Sequence, residues 1–378
     1  MRQALRIAFA SDIHLGHRKN VAQDIIANLD THITNDAVFG QIDMLILAGD
    51  VFDEALALSS EHVQHIDAWV GRVILLADKH NVVVRVLEGT PSHDRGQSER
   101  FTIVANLLAA CGVRVDLKYV NTLSVEHFDH WDMDVLYVPD EWNHSTQQTL
   151  TEVRELLAAR GLQQVDVAVM HGSMDFQLPA HVKDIPRHDS VVYSALVRGF
   201  ITIGHIHLYS TQGNIIAQGS FDRLAHNEEA PKGFVIAQLQ PSGAYTMQFV
   251  QNTGARKYVT HRCLHEEMEE NLRELDKVAA SLPPNSCLRV ESHHANPIQK
   301  NVDVLSRRWP LLVWSALATG KEEEAARKRP AGEEFVYVPV SVRPDNIRAL
   351  VLERLSKHNL ESEVLALCTA TLQELERI

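Results

Sequence analysis

The chain has 378 residues, 45% of them apolar and 22% charged, and its acidic residues outnumber its basic ones to a net charge of −13. That composition excludes a disordered, collagenous or coiled-coil protein, and the acidity argues against general electrostatic attachment to nucleic acid. No run of 18 apolar residues is present, so no membrane-spanning helix is expected, and the length suffices for two or three domains. The N-terminal MRQALRIAFASDIH does not read as a secretory signal, because its apolar stretch is short and meets charged residues at once. The four cysteines, Cys111, Cys263, Cys287 and Cys368, are scattered and form no CxxC pair. The expectation is a cytoplasmic protein with reduced thiols.

In chain order, LRIAFAS at 5–11 reads as a short buried strand, and 20–34 carries helical apolar spacing. DMLILAGD at 43–50, a helix over about 60–80 and VVVRVLEG at 82–89 continue the alternation. Strand–helix–strand alternation implies an α/β sheet with helices on its faces. Ser98 is placed to cap a helix running to about 110, weaker strands follow over 113–126, and MDVLYVP at 133–139 is a clear strand. A helix opens at Ser145 and stops at Gly161, and DVAVMHG at 166–172 is the next buried strand. After 200, FITIGHIH, GNIIAQGS, KGFVIAQLQ and YTMQFVQN predict consecutive antiparallel strands, closing a first domain at 1–255. A charged amphipathic helix at 264–281, the strand CLRVES, a helix around 297–309 and the strand LLVWSAL predict a small α+β domain at 256–320. A charged linker with a strand is expected at 321–340, and two apolar-faced helices at 341–378 close the chain as packing elements or a partner dock.

The chemistry gathers at strand ends. Asp12-Ile13-His14, Gly49-Asp50-Val51-Phe52-Asp53, Ser92-His93-Asp94, His171-Gly172 and Gly204-His205-Ile206-His207 all fall at the carboxyl ends of predicted strands. In open α/β sheets that edge binds ligands. Asp12 and His14 are two apart, so they can face one way, and His205 and His207 repeat the spacing. One strand-end Asp is ordinarily a turn or cap, and one His ordinarily a core residue; carboxylates and imidazoles at five such ends point to metal. A mixed oxygen and nitrogen set suits manganese, iron or zinc, with magnesium as a further alternative. Six residues exceed what one tetrahedral ion needs and suit two ions sharing a bridging carboxylate.

The order D-x-H, GD-x-x-D, H-D, H, GH-x-H resembles the calcineurin-like metallophosphoesterases over roughly residues 5–250. Gly219-Ser220-Phe221-Asp222-Arg223 followed by EEAPKGFVI is similar to the GS-x-x-R…KGF segment of SbcD-type nuclease subunits and their recombination-nuclease relatives. The resemblance implies an α/β/β/α sandwich of two mixed sheets, followed by a small α+β capping domain and C-terminal helices. It implies that Asp12, His14 and His207 hold a first metal, that Asp50 bridges, and that His171 and His205 hold the second. His93 would stand beside the scissile phosphate as a non-ligand acid, oriented by Asp94, with Asp53 behind the metals. Gly219 and Ser220 would shape the nearby loop, and Ser220 and Arg223 are candidate phosphate contacts. The family's G-N-H-[DE] is here Gly89-Thr90-Pro91-Ser92-His93-Asp94, with two residues inserted and the asparagine gone. Ser92, or Thr90, is left to supply that ligand.

The function implied is a two-metal DNA nuclease, manganese-dependent, with 3′→5′ exonuclease activity on duplex ends and endonuclease activity on single strands or hairpins. Its implied partners are DNA, an SbcC-type coiled-coil ATPase docking on the C-terminal helices, and a second copy in a homodimer, with no membrane. Two other classes share the metal motifs: a small-molecule phosphoesterase acting on cyclic nucleotides or nucleotide phosphodiesters, and a DNA-end binding scaffold with a degraded site.

Overall fold

The structure, a computed structural model, describes residues 4–53, 55–56, 61–179, 182 and 185–320. The linker expected at 321–340 and the helices expected at 341–378 lie outside the described residues.

Strands and helices intermingle as far as β8: β1 (Leu5–Ala10), α1 (Ala22–His32), α2 (Asp36–Phe39), β2 (Met44–Ala48), α3 (Glu61–His80), β3 (Val83–Leu87), α4 (Glu99–Ala109), β4 (Leu117–Val120), β5 (Ser124–Phe128), β6 (Met133–Val138), α5 (Thr146–Ala159), β7 (Val165–His171), α6 (Ser190–Leu196) and β8 (Val197–Gly204). Strands β9 (Ser210–Gln212), β10 (Ile215–Ala217), β11 (Gly233–Leu239), β12 (Tyr245–Gln251) and β13 (Tyr258–Arg262) follow. Then come α7 (Met268–Ala280), β14 (Cys287–His293), a 3-10 turn, α8 (Val302–Arg308) and β15 (Val313–Thr319). The Ser145 hydroxyl caps α5 by accepting from the Gln148 N–H, whereas Ser98 precedes α4 without a side-chain cap.

Two six-stranded mixed sheets form the body. One has the order β12-β11-β1-β2-β3-β4 and the other β5-β6-β7-β8-β10-β9. Alternation along each strand builds the layers. Leu5, Ile7 and Phe9 of β1 and Met44, Ile46 and Ala48 of β2 face one way. They meet Val135, Tyr137, Val167, Val169 and Phe200 of the other sheet in one apolar cluster. Their alternate neighbours, Ala8, Ala10, Leu45 and Leu47, pack under α1 and α3 with Leu29, Trp69 and Val73. Ala168, Met170 and Ile201 pack under α5 and α6 with Val153, Leu157 and Tyr193. Helices therefore cover both outer faces, giving an α/β/β/α sandwich, and the central strands are apolar throughout because both their sides are buried.

The run expected after residue 200 as consecutive antiparallel strands is divided between the sheets. β10 pairs parallel to β8 in the second sheet, while β11 crosses over to pair antiparallel with β1 in the first and with β12. Apolar alternation and turn residues define each strand; the choice of partner is tertiary. β13, β14 and β15 form a parallel sheet with its own apolar cluster around Leu275, Leu288, Val290, Ile298 and Leu305. The Tyr258 hydroxyl, donating to Asn20 Oδ1 at 2.7 Å, ties that sheet to the loop after β1. Among the described residues no helix is long and apolar enough to cross a membrane.

Candidate metal centre

The loops leaving β1 and β2 are zipped together by their backbones. The amides of Asp12, Ile13, His14 and Leu15 donate to the carbonyls of Gly49, Asp50, Asp50 and Val51 at 2.9–3.1 Å, and Asp53 N–H donates back to Leu15. Asp12, His14 and Asp50 have φ near +50° and His205 has +97°, a region that non-glycine residues rarely adopt. Strain of that kind concentrates at functional sites, where the surrounding structure holds it in place. Gly49 shows why a glycine precedes Asp50: its φ is +86°, and a Cβ there would lie 2.2 Å from His171 Nδ1.

Packing the two sheets brings the sequence-identified residues into contact. Asp12, His14 and His207 form one group whose ligand atoms lie within 4.8 Å of one another, and Asp50, His171 and His205 form another. His14 Nε2 is 3.2 Å from His207 Nε2, and His207 Nε2 is 3.6 Å from Asp12 Oδ1. His171 Nε2 is 3.4 Å from Asp50 Oδ1, and His14 Nε2 is 3.8 Å from Asp50 Oδ2, so Asp50 stands between the groups. Each group draws on both sheets, so neither exists until the sandwich closes.

These clusters could hold metal ions, and His171 provides the test of fit. It is fully buried, and its Nδ1–H donates to the Ala48 carbonyl at 2.7 Å. Nε2 is then the bare nitrogen, with no hydrogen-bond partner, facing the Asp50 carboxylate. Lone pair against lone pair is unfavourable unless a proton or a cation lies between them. The titration directions express the same demand. Burial opposes ionisation of both groups, yet Asp50 raises His171 well above its ordinary value, and His171 with His14 holds Asp50 far below the carboxylate range. His205 is lowered by burial and by its neighbour His171.

Surrounding groups fix the first cluster. His207 Nδ1 lies 2.9 Å from Glu228 Oε1, and Lys232 bridges Glu228, the His207 carbonyl and the Ser220 hydroxyl at 2.8–3.0 Å. Burial would raise Glu228, but His207 and Lys232 hold it down at about 2. His207 itself is raised, Glu228 outweighing burial. Sequence reasoning gave no role to Glu228 or Lys232, although both lie in the EEAPKGF stretch.

The placement of other residues differs from expectation. Asp94 does not orient His93. It is fully buried, and its two oxygens accept the backbone N–H groups of Asp50, Phe52 and Gly89 at 2.7–3.0 Å. It thus fixes the Asp50 loop; burial and the Asp50 charge push it up to about 7 against those three donors. His93 instead donates from Nδ1 to Asp53 Oδ1 at 2.7 Å. Burial works against the Asp53 charge, but His14 and His93 hold it at about 2. His93 is part-exposed, and one of its ring nitrogens also groups with His14 and Asp50.

Ser92 is not in the site. It is exposed on the turn outside the clusters, and its carbonyl accepts from Arg95. Thr90 takes the inner place: its N–H donates to Asp50 Oδ1 at 2.6 Å, and its hydroxyl lies 3.2 Å from His205 Nδ1. Ser220 and Arg223 are not surface phosphate contacts. The Ser220 hydroxyl is fully buried and donates to the Asp222 carbonyl. The Arg223 guanidinium is buried and donates to the carbonyls of Ala255, Arg256, Glu229 and Ala230 at 3.2–3.4 Å. A further residue, Asp140, follows β6 at the same edge, 3.4 Å from His205. The strand-end rule that picks out Asp50 would have found it. Beside it opens a cavity of about 510 Å³, lined in part by Trp142, Ser173, Ile185, His188 and His205.

No family model and no curated protein matches the chain. Among solved structures, one crystal structure aligns over 65% of this chain and 99% of its own at 10% identity and a TM-score of 0.37. The crystal structure of TT1561 of Thermus thermophilus aligns over the same shares at 8% identity and a TM-score of 0.36.

Proposed function

We propose that the chain is a two-metal phosphodiesterase acting on DNA, of the SbcD-type nuclease kind that its motifs resemble. The observation that carries the reading is the pair of Asp/His groups either side of Asp50, with His93 beside them on a carboxylate of its own. Asp12, His14 and His207 would hold one divalent ion, and Asp50, His171 and His205 the other, most simply manganese given the mixed donors. Two such ions supply Lewis acidity to a water and to the oxygens of a phosphodiester, so no serine or cysteine nucleophile is needed.

The chain's own residues do the remaining work. Asp50 serves both groups. Ala48 fixes the His171 tautomer and Glu228 the orientation of His207. Asp53 holds His93 through Nδ1, leaving Nε2 to donate a proton to the departing oxygen or a hydrogen bond to the charged phosphate. An acidic chain acting on DNA needs basic surface from elsewhere. The coiled-coil ATPase implied by the resemblance would supply it, with a homodimer as the working assembly. The duplex-end 3′→5′ exonuclease and hairpin endonuclease activities belong to the same proposal.

The cavity beside His205 favours a second reading, a small-molecule phosphoesterase, because its size suits one nucleotide-sized ligand. The deciding experiment gives the purified chain manganese and two substrates, end-labelled duplex DNA and an aryl phosphodiester, with His93→Ala as control. Manganese-dependent DNA degradation lost in the variant is the expected result. Cleavage of the aryl diester alone, unchanged by adding the ATPase, would overturn the nuclease in favour of the second reading. Cleavage of neither, with the ATPase present, would overturn both and leave the scaffold.

A further inference from the structure

We propose that Asp140, together with the Thr90 hydroxyl, completes the second cation site as a direct ligand. The proposal rests on the two-metal reading and extends it to Asp140, which no motif in the chain marks.

Register delivers Asp140 to the site. β6, β7 and β8 are adjacent and parallel, with Val138 opposite Met170 and Met170 opposite Ile203. Two residues further on, the same row holds Asp140, Gly172 and His205. Three neighbouring strands therefore present Asp140, His171 and His205 at one carboxyl edge. Gly172 keeps the row open, since a Cβ there would lie 3.2 Å from Asp140 Oδ1.

The polar atoms in this corner converge on one another across short distances. The Thr90 hydroxyl lies 3.0 Å from Asp140 Oδ2, 3.3 Å from Asp50 Oδ2 and 3.2 Å from His205 Nδ1. A hydroxyl donates one hydrogen. It can satisfy one of the two carboxylates, which leaves the other to the ring N–H of His205. Asp140 Oδ2 is also 3.4 Å from His205 Nδ1. Independently, the buried His171 Nε2 has no hydrogen-bond partner and faces the other side of Asp50. The buried Asp50 charge and the unpartnered His171 nitrogen are costly, and a divalent cation among Asp50, Asp140, Thr90, His171 and His205 removes both costs at once. Two carboxylates, one hydroxyl and two imidazoles make a mixed set suited to manganese or iron.

The alternative role for Asp140 is to orient His205 from behind. Losing an outer partner of that kind costs about 10–100-fold in metal affinity. Losing a ligand should cost more, and a replacement ligand should be visible spectroscopically. The test is manganese titration of the full chain by calorimetry and electron paramagnetic resonance, with Asp140→Ala and Asp140→Cys beside the wild type. Two spin-coupled ions are expected in the wild type. Asp140→Ala should keep one uncoupled ion, its weaker site lost by more than about 100-fold. Asp140→Cys titrated with cobalt should gain a thiolate-to-metal charge-transfer band absent from the wild type, whose own cysteines serve as the control. Thermal unfolding of both variants verifies the fold, with Asp140→Leu, similar in shape and without a donor atom, as the substitute if Asp140→Ala is unstable. Spin coupling retained in Asp140→Ala, or no new band in Asp140→Cys, would overturn Asp140 as a ligand and leave the two-metal reading standing. A wild type binding fewer than two ions would overturn the reading itself.

Discussion

The two Asp/His groups are built by one rule and finished by two. Both take ligands from strand ends of both sheets, and both depend on the same apolar cluster between the sheets to bring those ends together. The first is backed by a network of its own: Glu228 and Lys232 hydrogen-bond behind His207, and Asp53, which holds His93, faces His14 Nδ1 at 3.5 Å. The second is backed by a backbone carbonyl at His171 but opens past Asp140 and His205 onto a cavity. The difference teaches that strand ends set where candidate ligands gather, while the connecting loops decide what surrounds them. The first group is enclosed by the side chains that hold it, and the second borders open space.

The sharpest way to break this comparison is at His93, which lies between the groups. His93→Ala should lower turnover by about 10²–10⁴-fold while bound manganese stays the same. Metal loss measured in parallel would make His93 a ligand with His14 and Asp50 and blur the boundary between the groups.

The second side carries a pH signature. Burial lowers the His188 imidazole from 6.5 to about 4, with Asp140 only partly offsetting it. The unfolded chain therefore binds a proton between those values that the folded chain refuses. Stability should be full above pH 6.5 and fall as pH drops toward 4, by on the order of 3 kcal/mol. Urea unfolding at pH 7 and 4.5 measures it, and His188→Asn should flatten the difference. An unchanged slope in that variant would remove His188 from the account.

On the first side, Glu228→Gln keeps the shape and removes the charge behind His207. Manganese affinity at one site should drop about 10–100-fold, with the other site unaffected. Equal weakening of both sites in calorimetry would show that the two groups are not separately supported. The smallest effect expected is at the cavity wall. Trp142→Ala should raise KM for an aryl phosphodiester by about tenfold, since one lost ring contact is worth about 1–3 kcal/mol, and leave manganese binding alone. An unchanged KM would mean that the cavity takes no part in substrate binding.

The contrast also marks what the sequence could convey. Asp12, His14, Asp50, His171, His205 and His207 were legible because they fall at the carboxyl ends of buried strands in a motif order that the family shares, while the left-handed turns at Asp12, His14, Asp50 and His205 were not. Helix α1 was legible from apolar spacing, α3 as a helical run, and α4 and α5 from their ends at Ser98, Ser145 and Gly161, whereas α2 and α6, four and seven residues long, are too short to show a period. Loop residues were misplaced wherever a tertiary bond decided the outcome. Asp94 turns inward to three backbone amides, which leaves Ser92 outside, Thr90 inside and Asp53 free for His93. Arg223 was a candidate phosphate contact through the GS-x-x-R resemblance; the carbonyls that occupy it come from the turn at Glu229 and Ala230 and from the more distant Ala255 and Arg256. The parallel pairing of β8 with β10 was likewise hidden, since alternation defines a strand without naming its neighbour.

The most direct test of the central claim is anomalous diffraction from crystals of the full chain grown with manganese. The account predicts two peaks about 3.5–4 Å apart, one among Asp12, His14 and His207 and one among Asp50, His171 and His205, with Asp50 between them. A single peak, or two peaks away from these side chains, would contradict it.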